Sequence, residues 1–425
     1  MVCKELGTQG EADEAFMRQA LALAACGVGH TSPNPLVGAV IVRDGRVIGQ
    51  GWHACYGQAH AERNALDDCV RRGEDPRGAF VYVTLEPCSH QGKQPPCADA
   101  LVQAGVARVV IGSRDPNPLV SGRGVARLQA AGIQVVQDVL RDECDAVNQV
   151  FFMYITTGAP YVVAKWAMTA DGHIACANGD SRWVSGEDSR RDAHALRNRL
   201  SAVAVGIGTV EADDPLLTCR LPGGRNPLRV VCDTRLSIDA DCALVRSATA
   251  GDAPLLVACG EGAAGSEKAR ELRELGIEVL GVACGADGRL DLRALMEALG
   301  VRGVDSVLLE GGAHLMGAAF EAGIIDEAVA YVAPKLLGDA DALSPAAGLE
   351  PTRMADALAF GAPHVDVLGR DVRICWRVGE DASQGALSCV ACGPLYPGGA
   401  TTEQASKSQS TIVDSVIDSI DKDGE

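Results

Sequence analysis

His60-Ala61-Glu62 heads a helical stretch over about 60–72. Ala79 to Leu85 reads as a strand, and Pro87-Cys88 leads across a loop to Cys97 in a second helical stretch, Pro96 to Gly105. Arg108 to Gly112 follows as a further apolar strand. Strand and helix in alternation argue for a three-layer α/β domain. Working outward, residues 12–28 set Phe16, Ala20, Leu23 and Ala24 at helical spacing. Thr31-Ser32-Pro33-Asn34-Pro35 is a turn that feeds the buried-strand run Val37 to Val42. Asp44-Gly45 is a hairpin signal before a returning strand at 47–52. Ile133 to Val136 closes the unit ahead of a helical 139–155 segment, so the first domain is set at 1–148.

A second series of strands begins after Gly158-Ala159-Pro160, at Tyr161–Lys165, Ala202–Gly206, Leu228–Asp233, Leu255–Cys259 and Ser306–Leu309. Helical stretches at 187–200, 266–276, 290–300 and 312–322 separate them, which gives a second α/β domain over 149–379. Residues 380–425 turn rich in Gly, Ser, Thr and Gln and end acidic, so a disordered tail is expected. Within it Ile412, Val416, Ile417 and Ile420 could form a short amphipathic helix. A lone Cys389-Val390-Ala391-Cys392 pair is weak evidence of metal or redox chemistry.

A chain of 425 residues exceeds a typical single domain, which agrees with this division. The net charge of −18 repels a phosphate backbone, so nucleic acid is not an expected partner, whereas two or three arginines suffice for one small phosphate. The 16 cysteines sit within apolar segments of a long chain, and the first residues lack the apolar core of a secretory signal. Reduced thiols in the cytoplasm are therefore expected. No apolar run approaches the length of a membrane span, so no membrane partner is expected.

His60, Cys88 and Cys97 supply three ligands of the kind zinc takes, which leaves a fourth tetrahedral position for water. Such a water has its pKa lowered from about 15.7 to about 7. Glu62, two residues from His60, can carry its proton to a ring nitrogen and then to departing ammonia. H-x-E with P-C-x-x-C is the sign of zinc nucleobase deaminases. Here eight residues instead of two separate the cysteines, so Ser89 to Pro96 must loop out and return.

Ser32-Pro33-Asn34-Pro35-Leu36-Val37-Gly38-Ala39-Val40, Gly57 to Glu62, Thr84 to Cys97 and Asp115 to Val120 resemble the bifunctional riboflavin-biosynthesis deaminase and reductase family. The long insert between the cysteines is a mark of that family. The resemblance continues through Lys165, Asp171-Gly172, Gly179 to Trp183, Gly206 to Pro215 and Glu310-Gly311-Gly312, and covers roughly residues 12–378. It implies a cytidine-deaminase-like α/β/α domain followed by a dihydrofolate-reductase-like α/β domain. It also implies zinc and NADPH as cofactors. The implied substrate is diaminohydroxyphosphoribosylaminopyrimidine, deaminated at the ring and then reduced at the ribose to 5-amino-6-(5-phosphoribitylamino)uracil.

By position, Asn34, His53, His90 and Lys93 would contact the deaminase substrate. Lys165, Ser181, Arg197, Leu217, Arg220 and Glu310 would face the reductase substrate. Ala167, Trp183, Thr209, Asp213, Thr234 and the stretch Gly312, Ala313, His314, Leu315, Met316, Gly317, Ala318 would hold the nucleotide. Arg197 and Arg220 suit a sugar phosphate, and Arg235 is a candidate for the 2′-phosphate of NADPH. The Gly311-Gly312 pair would bare helix N–H groups to a diphosphate. A homo-oligomer is expected. Two rival readings stay open at this point. One is a deaminase of tRNA or free cytidine with a fused module, which the net charge and the 88–97 insert oppose. The other is a regulatory protein with a dead site, which the intact zinc set opposes.

Overall fold

The computed structural model describes residues 8–90, 95–117, 120–379 and 389–392. Lys93 and most of the tail, including the 412–420 stretch, lie outside the described residues.

Helix α1 (Gln9–Ala24) starts with a capping box in which Thr8 accepts from the Glu11 N–H and Glu11 returns the bond. Then come β1 (Gly38–Arg43), β2 (Arg46–Trp52), α2 (Ala61–Arg71), β3 (Phe80–Leu85) and α3 (Cys97–Ala104). The unit continues with β4 (Arg108–Ser113), α4 (Arg123–Ala130), β5 (Gln134–Val136) and α5 (Arg141–Val147). The sheet order is β2-β1-β3-β4-β5. The β1 strand runs antiparallel to β2 and β3, while β3, β4 and β5 are parallel.

Strand alternation sorts the side chains into two layers. Ala39, Ile41, Val81, Val83, Val109 and Ile111 meet α2, α3 and α4. Val40, Val42, Tyr82 and Val110 meet α1 and α5. The close approach of α1 needs Gly38, because a Cβ there would lie 1.9 Å from the Ala20 carbonyl oxygen. Asp13 of α1 forms a buried bidentate pair with Arg108 and accepts from Tyr82 Oη, which fixes the helix on the sheet.

The segment expected as one helix over 139–155 breaks at Asn148. The side chain of Asn148 exchanges two hydrogen bonds with the Leu36 backbone and ends α5. The next helix, α6 (Gln149–Thr157), packs Phe151 and Phe152 on the first core and Val150 and Met153 on the second. It is shared between the two units that the sequence boundary at 148/149 separates.

The second unit holds β6 (Tyr161–Thr169), α7 (Glu187–Arg199), β7 (Ala202–Gly206), α8 (Ile207–Asp213), β8 (Leu228–Cys232) and α9 (Ala243–Thr249). It goes on through β9 (Leu255–Gly260), α10 (Glu267–Glu274), β10 (Glu278–Val282), α11 (Leu292–Val301), β11 (Ser306–Leu309) and α12 (Ala313–Glu321). Three strands close it: β12 (Glu327–Ala333), β13 (His364–Leu368) and β14 (Asp371–Arg377). The sheet order is β10-β9-β8-β7-β11-β6-β12-β14-β13, with helices and apolar clusters on both faces. The strands from β10 to β12 are parallel, so the carboxyl ends of β6, β7 and β11 open on one side.

Residues 389–392 depart from the expected disorder. Cys389, Val390 and Ala391 are buried in the second core, and the Val390 and Ala391 amides donate to the Glu327 carboxylate at 2.7 and 2.9 Å. Among the described residues no helix is long and apolar enough to cross a membrane.

Candidate active sites

Two ligands of the first site are placed by helix heads, and Cys88 lies in the loop after β3. His60 is the extended N-cap of α2, with Glu62 in the first turn, and Cys97 opens α3. His60 Nδ1 lies 3.6 Å from Cys88 Sγ and 3.5 Å from Cys97 Sγ, and the Cys97 N–H donates to Cys88 Sγ at 3.3 Å. A tetrahedral zinc with about 2.3 Å to sulfur and about 2.0–2.1 Å to nitrogen sets those atoms about 3.6 Å apart. The trio fits. Cys97 comes back beside Cys88, as the spacing requires.

The electrostatics point the same way. A hydrogen bond from the Cys97 thiol holds Cys88 down to about 4, with His60 assisting against burial. Cys97 is pushed well above the usual thiol range by Cys88 first and by burial second. Two thiolates this close repel, and a divalent cation is the charge that lets both ionise. Glu62 stands outside the trio and is 3% exposed. Burial and then the Cys88 charge push its carboxyl up to about 7, against the opposing pull of His60.

A cavity of about 290 Å³ opens over these groups. Asn34, His53 and His90 line it. His53 is buried and held neutral, chiefly by burial. Its Nδ1–H donates to the Ala59 carbonyl at 3.1 Å, which leaves Nε2 to accept from Asn34 Nδ2 at 3.1 Å. The sequence reading missed other members of the lining. Asp115 and Asn117 are among them, and burial pushes the Asp115 carboxyl up to about 6. Phe151, Tyr154 and Ile155 of α6 form a further wall. Their signal was available as an apolar run on a helix too short for a core of its own. Glu86 also touches the cavity, but its carboxylate is spent on the Gly122, Gly124 and Val125 amides at the head of α4.

In the second unit Glu310 follows β11 and forms a bidentate pair with Arg197 of α7, Nε to Oε1 at 2.6 Å and Nη2 to Oε2 at 2.7 Å. Lys165 of β6 adds a contact at 3.6 Å. Burial works to raise the Glu310 carboxyl, but Arg197 and Lys165 outweigh it and hold it at about 2. His194, one turn before Arg197, is held down to about 4 by burial and by Arg197 and Arg220. Beside this cluster, Gly206 and Gly312 are the N-caps of α8 and α12, and neither helix head carries a side-chain cap. The two turns are joined by a Gly206 N–H bond to the Gly311 carbonyl at 2.9 Å. The uncapped head of α12 at the strand ends suits a diphosphate.

Residues 10–113 match the cytidine and deoxycytidylate deaminase zinc-binding region, and residues 160–366 match the RibD C-terminal domain. The riboflavin biosynthesis protein RibD of Actinobacillus pleuropneumoniae is 44% identical over 360 residues, covering 85% of this chain and 94% of that protein. This chain belongs to the RibD family. The RibD of Escherichia coli is 40% identical, over 85% of this chain and 98% of that protein. A solved structure of Acinetobacter baumannii RibD has a TM-score of 0.78 at 36% identity, covering 88% of this chain and 100% of that one. The structure of a Thermotoga maritima diaminohydroxyphosphoribosylaminopyrimidine deaminase and 5-amino-6-(5-phosphoribosylamino)uracil reductase has a TM-score of 0.78 at 36% identity. It covers 87% of this chain and 100% of that one.

The chain is therefore a bifunctional enzyme of riboflavin biosynthesis, a zinc-dependent deaminase followed by an NADPH-dependent reductase. Within the RibD reductase unit, Lys165, Arg197 and Glu310 come together. Arg220 is exposed, with its charge felt at His194. Ala167 ends up near the carboxyl end of β6, and Ser181 is half-buried. Trp183 is exposed, with the Arg190 guanidinium over its ring at 4.7 Å. Thr209 Oγ1 lies 3.3 Å from where a Cβ on Gly312 would stand. The Asp213 carbonyl accepts from Arg182, and the Thr234 carbonyl accepts from Gly260 N. Arg235 is exposed.

Three positions turn inward. Leu217 is buried in the core, so only its backbone could meet a substrate. Met316 is buried on the other face of the sheet. Gly317 presses on Ala347, whose carbonyl oxygen would lie 1.9 Å from an added Cβ. Residues 313–318 are helical, so their side chains point all round the axis and cannot all face one ligand. Gly312, Ala313, His314, Leu315 and Ala318 are not buried.

Proposed function

We propose that the first site deaminates the ring of diaminohydroxyphosphoribosylaminopyrimidine and that the second reduces the ribose of the product to a ribityl chain. The observation that carries this is the convergence of His60, Cys88 and Cys97, with His60, Cys88 and the buried Glu62 lining one cavity. Zinc held by those three residues would supply a water acidic enough to be deprotonated at neutral pH. Glu62 holds and moves the proton: buried beside the trio without belonging to it, it can accept at the water and donate at the ring nitrogen and the leaving amine. His53 fixes the Asn34 amide, and Asn34 and His90 orient the ring and its substituents from the cavity wall.

In the second site Lys165 faces the sugar oxygen and steadies the charge that shifts onto it. Arg197 and Arg220 hold the sugar phosphate, and Glu310 keeps Arg197 and Lys165 in place. NADPH would supply the hydride, and the uncapped head of α12 would hold its diphosphate. The enzyme acts in the cytoplasm on a small phosphorylated pyrimidine. It works as a homo-oligomer, a reading that the exposed Val365 and Val367 on the edge strand β13 support.

Mass spectrometry of products from the diaminopyrimidine substrate tests the scheme. Without NADPH the product should exchange NH for oxygen, and with NADPH it should gain two further hydrogens. An unchanged substrate mass would sink the reading. Lys165→Ala should leave ammonia release near wild type and cut NADPH oxidation about a hundredfold, the scale of losing one charge-stabilising group. Equal damage to both steps would show that the sites are wrongly divided.

A further inference from the structure

The deaminase cavity is not built by the deaminase unit alone. Its Asn34 sits at the end of a tight turn closed by the Asn34 N–H bond to the Thr31 carbonyl at 2.8 Å. On one side that turn is pinned from within its own domain, by His53 on the Asn34 amide. On the other side it is pinned from across the molecule. Ser32 Oγ donates to Asp305 Oδ2 at 2.6 Å, a residue at the head of β11 in the reductase unit. Asp305 Oδ1 accepts from Ser201 Oγ and from Ser306 Oγ, and Asp305 is only 4% exposed. The Ser32 and Ser201 oxygens are 2.7 Å apart. The two hydroxyls and the carboxylate thus form one hydrogen-bonded cluster across the two units.

The neighbouring contacts run the same way. Tyr154, on the cavity wall, donates from Oη to the Gly300 carbonyl of α11 at 3.0 Å. A Cβ on Gly300 would lie 2.0 Å from the Gly158 carbonyl oxygen, so α11 is pressed against the turn that ends α6. A Cβ on Gly29 would lie 2.8 Å from the Asn198 carbonyl oxygen of α7.

We propose that Asp305 of the reductase unit is a positioning residue for deamination, acting through Ser32 on the turn that presents Asn34 to the substrate. This rests on the deaminase reading of the first site. The catalytic trio and Glu62 take no part in the clasp, so its loss should weaken substrate binding and leave metal and proton transfer intact. The clasp also makes the first activity depend on the folded second domain, with no moving part required.

The test uses the full-length zinc-loaded enzyme, with ammonia release and NADPH oxidation followed separately, the second on supplied deaminated product. Ser32→Ala should raise the KM of deamination about tenfold, the scale of one hydrogen bond to a charged group. The kcat should stay within about twofold, with zinc content and NADPH oxidation unchanged. Asp305→Asn should shift KM in the same direction. The double variant should be no worse than the larger single change, because both act through one contact.

A wild-type KM in Ser32→Ala, multiplied losses in the double variant, or an equal fall in NADPH oxidation would overturn the proposal. If Asp305→Asn does not fold, Ser32→Ala decides by itself, since it removes one hydroxyl from a turn. A wild-type enzyme that released no ammonia would instead remove the deaminase reading.

Discussion

Glu62 and Glu310 are two buried carboxylates in one chain, and they end at opposite extremes. Glu62 is 3% exposed with its carboxyl pushed up to about 7, while the Glu310 side chain is 7% exposed and held at about 2. Burial pushes both upward. What separates them is the company. Glu62 faces a thiolate with His60 and hydrogen bonds from the backbone and Cys97 opposing, whereas Glu310 has the Arg197 fork and the Lys165 ammonium. A buried acid thus becomes a proton carrier where nearby charge is negative or balanced. It becomes a fixed anchor where two cations surround it.

The largest expected effect tests the first half of that contrast. Glu62→Gln keeps the shape and the zinc ligands but cannot move a proton. Ammonia release should fall about a thousandfold, within the span of a positioned acid–base group. Metal analysis should still find one zinc per chain. Loss of zinc along with activity would make Glu62 a ligand, and the comparison would fail at its first term.

Glu310 gives the next effect, through stability. Its folded pKa of about 2 lies below the ordinary 4.5. Between those values the unfolded chain binds a proton that the folded chain refuses. The stabilisation is therefore complete above about pH 4.5 and is lost as pH falls toward 2. The linkage amounts to about 3 kcal/mol. Denaturant midpoints should drop across that window in the wild type. Glu310→Gln should be destabilised at neutral pH and lack that limb of the profile. A parallel decline in both proteins would mean that other carboxylates carry the acid sensitivity.

How much of this was readable in the sequence follows the same division. The zinc trio and Glu62 were legible because each lies in a short contiguous motif, with His60 and Glu62 at the head of α2, Cys88 just past β3 and Cys97 at the head of α3. Glu310, Lys165 and Arg197 come from three separate elements, and nothing in their spacing joins them, so only the resemblance named them. Resemblance gives positions and not orientations, which is why Met316 and Gly317 were expected at the nucleotide and lie against the protein instead. Strands β12 to β14 went unread because β12 starts with a buried acid and β14 places Asp371, Arg373 and Arg377 between its apolar residues. These charges are paid for in pairs, such as Arg373 with Asp192 and Asp366, that are distant in sequence. The α6 wall of the deaminase cavity was missed because a helix shared by two cores has no polar face to mark it.

The smallest effect sharpens the second half of the contrast. Arg197→Lys keeps the positive charge beside Glu310 but cannot reproduce the paired Nε and Nη2 bonds, or the third bond from Nη1 to the Thr218 carbonyl at 3.1 Å. If Glu310 is an anchor because of charge alone, the variant should match the wild type in stability. If the fork matters, folding should lose about 1–2 kcal/mol and the KM for the deaminated product should rise about tenfold. Ammonia release should not change, because no group of the first cavity touches this pair. The forked geometry, with both carboxylate oxygens engaged below 2.8 Å, favours the second outcome.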